Sequence, residues 1–239
     1  MSNSVNNSEE IVPGIPSEGL SVLHLFYHLN KNVDRGAVLK ALNEVSNEGY
    51  QVVTAAILGH KADIAVMVLG PDLVRLRRMQ SELAAAELKI SDSYLSITEV
   101  SEYAKNLTPE RRNPRLYPKL PPAGKRAFCF YPMSKRREVG ANWYTQSYQD
   151  RESMMAEHGV SGRKFSGRVL QLITGSTGLD AFEWGVTLFA QRIDDIKDVV
   201  YTLRFDQASA IYAEFGPFYV GVVDEPEVVL ELAGKFIDG

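Results

Sequence analysis

Cysteine is almost missing from this chain of 239 residues: Cys129 is the single one, so no intrachain disulfide can form. That usage predicts a protein of a reducing, cytoplasmic compartment. Long apolar runs are missing too, and every apolar stretch is short and broken by charges, which predicts no membrane span. The opening residues, MSNSVNNSEEIVPGIP, have no apolar stretch of the kind a secretory signal needs. There is no excess of positive charge. Lys and Arg number 26 against 30 Asp and Glu, a net charge of −4, which argues against non-specific nucleic-acid binding. A local basic cluster, Lys135-Arg136-Arg137, can still serve an acidic small molecule. No CxxC or HExxH spacing supports a zinc site, and no GxGxxG or Walker-type loop supports a nucleotide site. What remains is a soluble globular composition, long enough for one large domain or two fused small ones.

Along the chain, residues 1–17 form a polar arm with little to bury. Leu20–Leu29 reads as a strand. Asp34 can cap a helix with Val38, Leu42 and Val45 on one face, ended by Gly49. Gln51–Leu58 and Ala62–Leu69 make a hairpin across Gly59-His60-Lys61. Leu76, Met79 and Leu83 mark a second helix with Pro71 at its start, and Ser93–Val100 is another strand. This half covers 18–104. A basic, proline-rich linker follows at 105–124, holding Pro109, Pro114, Pro118, Pro121 and Pro122. The second half, 125–239, repeats the order. Arg126–Met133 is a strand, Tyr144–Glu157 helical, Arg168–Thr174 and Phe182–Gln191 strands. A helical face follows at Ile196, Val199, Val200 and Leu203, then a helical piece at Ala208–Phe215, a strand at Phe218–Val223 and a helix from Pro226. The expected class is α+β: two tandem ferredoxin-like βαββαβ halves forming a dimeric α+β barrel-type domain.

Few side chains suit chemistry. His24 and His28 sit four apart on a strand, roughly 13 Å along one face, an awkward spacing for one metal. They read as partly buried or edge histidines, and His60 as a solvated turn residue. His158 follows a helix with Met154 and Met155 and precedes Gly159 and Gly162. It can be a dipole partner at the helix end or a ligand. In an extended chain Tyr131, Met133 and Lys135 share one face and Phe128 and Phe130 the other. A phenol and an ammonium so placed can address an anionic aromatic ligand, or be a buried tyrosine beside a solvated basic turn. Pro132 lacks a ladder donor and argues for an edge or a bulge. Gln171, within an apolar strand, must find a partner or face a cavity. Arg204 can pair at the surface with Asp206 or Asp198.

Several segments together resemble the coproheme decarboxylases of the chlorite dismutase superfamily. They are Tyr131-Pro132-Met133-Ser134-Lys135-Arg136-Arg137, Asn142-Trp143-Tyr144, His158-Gly159 with Gly162-Arg163, and Gly175-Ser176. Glu183 to Ala190 and Glu214 to Gly221 complete the set. The resemblance implies the paired ferredoxin-like halves and a homopentamer. It implies His158 as proximal ligand to iron, Tyr131 as the reactive tyrosine and Gln171 as the distal residue. Lys135, Arg204, Ser209 and, by a looser match in the linker, Arg115 would hold propionates. The implied substrate is iron coproheme III, the oxidant hydrogen peroxide and the product heme b, with transient contact to the coproporphyrin ferrochelatase. A radical on Tyr131 would take a hydrogen atom from a propionate, and Lys135 would hold that propionate or donate a proton. Trp184 is expected to pack in the core.

Three other readings compete. A chlorite dismutase would use a distal arginine to hold its anionic oxidant, and here the matching residue is the neutral Gln171. A non-catalytic heme-binding protein would need His158 but not the Tyr131/Lys135 pair. A purely structural oligomer would use His158 as a helix cap.

Overall fold

The computed structural model describes residues 12–104 and 107–234. The first half runs β1 (Ser21–His28), α1 (Arg35–Asn47), β2 (Gln51–Ile57), β3 (Ile64–Gly70), α2 (Leu73–Ala85) and β4 (Lys89–Thr98). After a helix α3 (Pro109–Leu116) the order repeats: β5 (Ala127–Lys135), a small hairpin of β6 (Arg137–Glu138) and β7 (Ala141–Asn142), and α4 (Tyr148–Arg163). Then come β8 (Val169–Gly175), β9 (Trp184–Ala190), α5 (Ile193–Leu203), the single turn α6 (Gln207–Ala210), β10 (Ala213–Phe215), β11 (Tyr219–Asp224) and α7 (Pro226–Gly234).

All pairings in the main sheet are antiparallel, in the order β10-β5-β11-β2-β3-β1-β4-β8-β9, and β9 pairs again with β5. β10 and β11 share one side of β5, so every strand of this sheet except β10 takes part in a closed ring. Within it β2-β3-β1-β4 and β8-β9-β5-β11 are the two ferredoxin-like sets, joined edge to edge at β4–β8 and β11–β2. The expected α+β barrel is thus the observed one. Closure leaves no raw strand edge between the halves, a common source of aggregation in open sheets.

Alternation along the strands sorts side chains to two sides. Val22, Phe26, Met67, Tyr94, Phe128, Phe130, Leu172 and Phe189 fill the barrel interior. Leu23, Leu25, Val66 and Val68 face outward under α1 and α2, where Val38, Leu42, Val45, Leu76, Met79 and Leu83 complete a second core. Asp34 caps α1 by accepting from the Ala37 N–H at 2.9 Å, and Gly49 takes the positive φ that ends it. Ile196, Val199 and Leu203 of α5 cover the outer face of β5, β8 and β9.

Several elements differ from the sequence reading. Residues 1–11 of the expected arm and 105–106 of the expected linker lie outside the described residues. Residues 12–17 are not loose, since the Gly14 carbonyl accepts from the Leu73 N–H at 2.9 Å. The linker holds α3, with Pro109 at a first-turn position where its missing N–H costs nothing. Asp72, not Pro71, begins α2 as its cap. β4 starts at Lys89, four residues early, because its exposed end shows no apolar alternation. The stretch from Ala208 to Phe215 is not one helix: α6 ends at Ala210 and β10 follows. Pro132 is on no edge. It pairs with Gly185 on one side and accepts from the Gly216 N–H on the other, where β10 gives way to β11 and no donor is required. His24 is neither partly buried nor at an edge. It lies inside the barrel, 1% exposed, its ring 4.2 Å from Phe130 and Nε2 2.9 Å from Thr187 Oγ1. Burial pushes its pKa down to about 3, so it is neutral. No helix among the described residues is long and apolar enough to cross a membrane.

The β11–β2 seam depends on a small residue. A Cβ on Gly221 would stand 2.2 Å from the Ala56 carbonyl oxygen across the seam. Gly221→Ala is therefore expected to lower stability by about 1–3 kcal/mol, read as a lower denaturant midpoint at constant m. A midpoint equal to that of the parent would show that the seam has slack.

Candidate functional site

β5 carries its outward residues, Cys129, Tyr131, Met133 and Lys135, beneath α5 and the turns around α6. The register of the second set lines up Ile173, Val186 and Tyr131 as one row across β8, β9 and β5. The neighbouring rows are Gln171–Leu188–Cys129 and Gly175–Trp184–Met133, the latter running on to Phe215 of β10. Gln171 and Tyr131 therefore stand on one face, two strands apart and offset by one row, about 10 Å across the sheet. Ile173, next to Gln171 on β8 and in the row of Tyr131, is 44% exposed.

Tyr131 is 5% exposed, stacked on Phe218 with ring centroids 4.4 Å apart, and 5.7 Å from Phe215. Among the described residues its hydroxyl meets no hydrogen-bond partner. Burial pushes its pKa well up and the Arg204 guanidinium draws it back, so the phenol keeps its proton at neutral pH. Arg204 makes no ion pair with Asp206 or Asp198. It is exposed and lies over the Phe215 ring at 4.1 Å, with its donors left for an anion.

Lys135 is 7% exposed. Its ammonium donates to the Ala208 carbonyl at 2.6 Å and sits 4.4 Å from the Trp143 ring centroid. Both partners are neutral. Burial pushes its pKa down to about 8, against the opposing pull of Glu183. The expected solvated basic turn is thus half right: Arg136 and Arg137 are exposed, whereas Lys135 is buried.

His158 lies inside α4, which runs on through Gly159 and Gly162 to Arg163, so it is not a terminal residue. Met154, His158 and Ser161 at i, i+4 and i+7 share the face turned toward α6. His158 Nδ1 lies 3.2 Å from Asp206 Oδ2, at an angle that misses a hydrogen bond. The other Asp206 oxygen accepts from Ser161 Oγ at 2.7 Å. Burial, then Lys135, lower the His158 pKa while Asp206 raises it, and the net direction is down. The ring is neutral at pH 7, as a metal ligand must be. Nε2 has no hydrogen-bond partner among the described residues.

One short segment joins these groups. Arg204, Asp206, the Ala208 carbonyl and the buried Ser209 all come from the α5–α6 junction, and Ser209 N–H donates to the Asp206 carbonyl at 2.9 Å. Gln171 is half-buried, and a Cβ on Gly162 of α4 would lie 3.8 Å from its Nε2. Arg115 is not brought in: it is exposed on α3, and its guanidinium bonds to the Arg111 carbonyl of the same helix. Trp184 is half-buried rather than in the core, its Nε1 donating to Glu99 Oε1 at 3.1 Å. Glu99 also borders a cavity of about 370 Å³ with Glu18, Ile97, Thr98, Arg112 and Leu116.

Sequence reasoning missed Asp206 as the neighbour of His158, because 45 residues separate it from Ser161 on the same helix face. It also missed Trp143 under Lys135, and Glu183, whose buried carboxylate lies behind the same strand end. A charged residue inside the apolar run Phe182 to Ala190 was the available signal for Glu183.

The donor set of neutral imidazole, phenol, amide, hydroxyl and two cations suits an iron porphyrin with several carboxylates. Comparison with known proteins agrees at the level of ancestry. A model of the chlorite dismutase family matches residues 34–224. A coproheme decarboxylase from Staphylococcus carnosus (strain TM300) is 46% identical over 187 residues, 73% of this chain and 73% of its own. A protein named for heme binding from Natronomonas pharaonis is 44% identical over 203 residues, 78% of this chain but 33% of that longer protein. Among solved structures, a heme-binding protein from Thermus thermophilus has a TM-score of 0.80 at 35% identity, covering 91% of this chain and 96% of that one. Chlorite dismutase from Candidatus Nitrospira defluvii, in complex with imidazole, has a TM-score of 0.72 at 16% identity over 91% and 96%, a likeness of fold alone. By its barrel, its matched length and these relatives, the chain belongs to the chlorite dismutase family.

Proposed function

We propose that this protein is a coproheme decarboxylase, which uses hydrogen peroxide to convert two propionates of iron coproheme III to vinyls, giving heme b. The observation that carries this reading is the pairing on one strand face of a buried phenol and a buried lysine: among the described residues the phenol has no hydrogen-bond partner and the ammonium touches only neutral groups. A heme-carrying protein without this reaction has no use for that pair. The 46% identity to a coproheme decarboxylase supports the same reading.

When bound, the coproheme iron supplies oxidising power through its reaction with peroxide. His158 would hold that iron through Nε2, with Asp206 steadying the far side of the ring. Tyr131, kept protonated by burial, gives up an electron and a proton together, and its phenoxyl oxygen then takes a hydrogen atom from a propionate β-carbon. Loss of CO2 and of a second electron leaves the vinyl. For each propionate one hydrogen peroxide is reduced to two waters. Lys135 holds a substrate carboxylate in place of its present carbonyl and ring partners. Arg204 and Ser209 bind further propionates, and the rigid strand β5 fixes the distance between Tyr131 and Lys135. Gln171 offers the oxidant a neutral amide, which disfavours retention of anionic chlorite. In this reading the enzyme is a cytoplasmic homopentamer that makes transient contact with the coproporphyrin ferrochelatase.

The test is to load the protein with iron coproheme III, titrate hydrogen peroxide and follow the porphyrin by mass spectrometry. Stepwise loss of two carboxyl groups is expected, and chlorite added instead should release little dioxygen. Tight binding with all four propionates left intact would sink the proposal.

A further inference from the structure

Glu183 is a buried carboxylate with no ion-pair partner in contact among the described residues. It is 7% exposed, and Lys135, whose backbone N–H it accepts from, points its ammonium elsewhere, to the Ala208 carbonyl and the Trp143 ring. Burying a carboxylate beside a lysine without pairing them is costly, so the arrangement needs a reason. One Glu183 oxygen accepts from the Lys135 backbone N–H at 2.8 Å, while the Glu183 N–H donates to Ser134 Oγ at 3.2 Å. The end of β5 and the start of β9 are thereby locked together. The carboxylate also faces the Tyr144 hydroxyl, whose pKa is raised by burial first and by Glu183 second. Tyr144 neighbours Trp143 in one 3₁₀ turn, so Glu183 touches both the backbone of Lys135 and the turn that carries the ring beneath its ammonium.

We propose that Glu183 is a positioning residue for Lys135: held by a backbone N–H and flanked by a phenol, it stays off the ammonium and leaves that cation for a carboxylate of the substrate. The proposal rests on the reading of Lys135 as a propionate-binding residue. If the carboxylate swung onto the ammonium, Lys135 would arrive at the ligand already neutralised. Removing the carboxylate altogether would free the strand end and the Trp143 turn and let the ammonium drift from its aim. Both routes converge on the lysine. Glu183 therefore has no expected effect on a ligand that Lys135 does not hold.

The experiment measures binding of metal-free coproporphyrin III and of its tetramethyl ester by porphyrin fluorescence. The proteins are the parent, Glu183→Ala, Lys135→Met and the double variant. Glu183→Ala, which removes the acceptor of the Lys135 N–H, is expected to weaken the tetra-acid about tenfold and to leave the ester unchanged. In the Lys135→Met background it should have no further effect, because two residues acting through one contact are not additive. Tyr144→Phe, a change at a half-exposed ring that spares the fold, should weaken the tetra-acid about threefold by releasing the carboxylate toward the ammonium. Unchanged tetra-acid binding in Glu183→Ala and Tyr144→Phe, equal loss for the ester, or full additivity with Lys135→Met would each overturn the role given to Glu183. Failure of the parent to bind the tetra-acid would instead remove the functional reading on which the role rests.

Discussion

Tyr131→Phe should bind iron coproheme III as the parent does and form no heme b when peroxide is added. The substitution removes one oxygen from a ring that makes no hydrogen bond among the described residues and keeps its stack on Phe218 at 4.4 Å. Stability should therefore change by less than about 1 kcal/mol, and the thermal midpoint should barely move. The chemistry cannot survive so small a change. Phenylalanine has no O–H to give up, and no second tyrosine shares the outward face of β5. Decarboxylation is expected to fall by about a thousandfold or more, some 4 kcal/mol of transition-state stabilisation, with Kd for the substrate unchanged. Single-turnover mass spectrometry gives the rate and spectral titration the affinity. Normal heme b formation by the variant would move the radical to another residue and leave Tyr131 as a wall of the pocket.

The second large effect is expected at His158. His158→Ala should weaken iron coproheme III binding by about a hundredfold or more, since one ligand bond to iron is worth several kcal/mol. Metal-free coproporphyrin should lose far less, because it depends on the cations alone. Added imidazole should restore the parent's absorbance bands by filling the vacated space beside Asp206. This separates an iron ligand from a packing residue: loss of packing would weaken both porphyrins equally, and imidazole would not reverse it. The variant also leaves Asp206, 4% exposed, with Ser161 as its remaining side-chain partner, so a drop of about 1–3 kcal/mol in stability accompanies the spectral change.

Much of this fold is legible because its signals are local. Val38, Leu42 and Val45 behind Asp34, or Ile196, Val199 and Leu203, can face only one way on a helix. The repeated strand and helix order pointed to two ferredoxin-like sets before their pairing was known. What misled was punctuation without consequence. Gly159 and Gly162 read as stops, yet α4 passes through both, so His158 sits inside the helix instead of at its end. The prolines of 105–124 read as a linker, yet two of them fit within α3. β10 is too short to show a period. At the site, Tyr131 and Lys135 share a face by strand geometry alone. His158, Gln171 and Arg204 needed the resemblance, because contacts such as His158–Asp206 join distant segments that no spacing rule connects. Arg115, the loosest match, is also the residue found apart from the others.

Aromatic rings fill the barrel interior, whereas the candidate site residues stand on the outside of the barrel, between strands and helices. Durability and recognition are thereby assigned to different surfaces. Phe26, Phe128, Phe130 and Phe189 hold the chain together from within, while α4, α5 and the α5–α6 junction shape what can bind. A substitution such as arginine for Gln171 changes the chemistry on offer while the inner wall keeps its rings. A scaffold so divided can keep its shape while its sequence drifts, and a solved chlorite dismutase shares that shape at 16% identity.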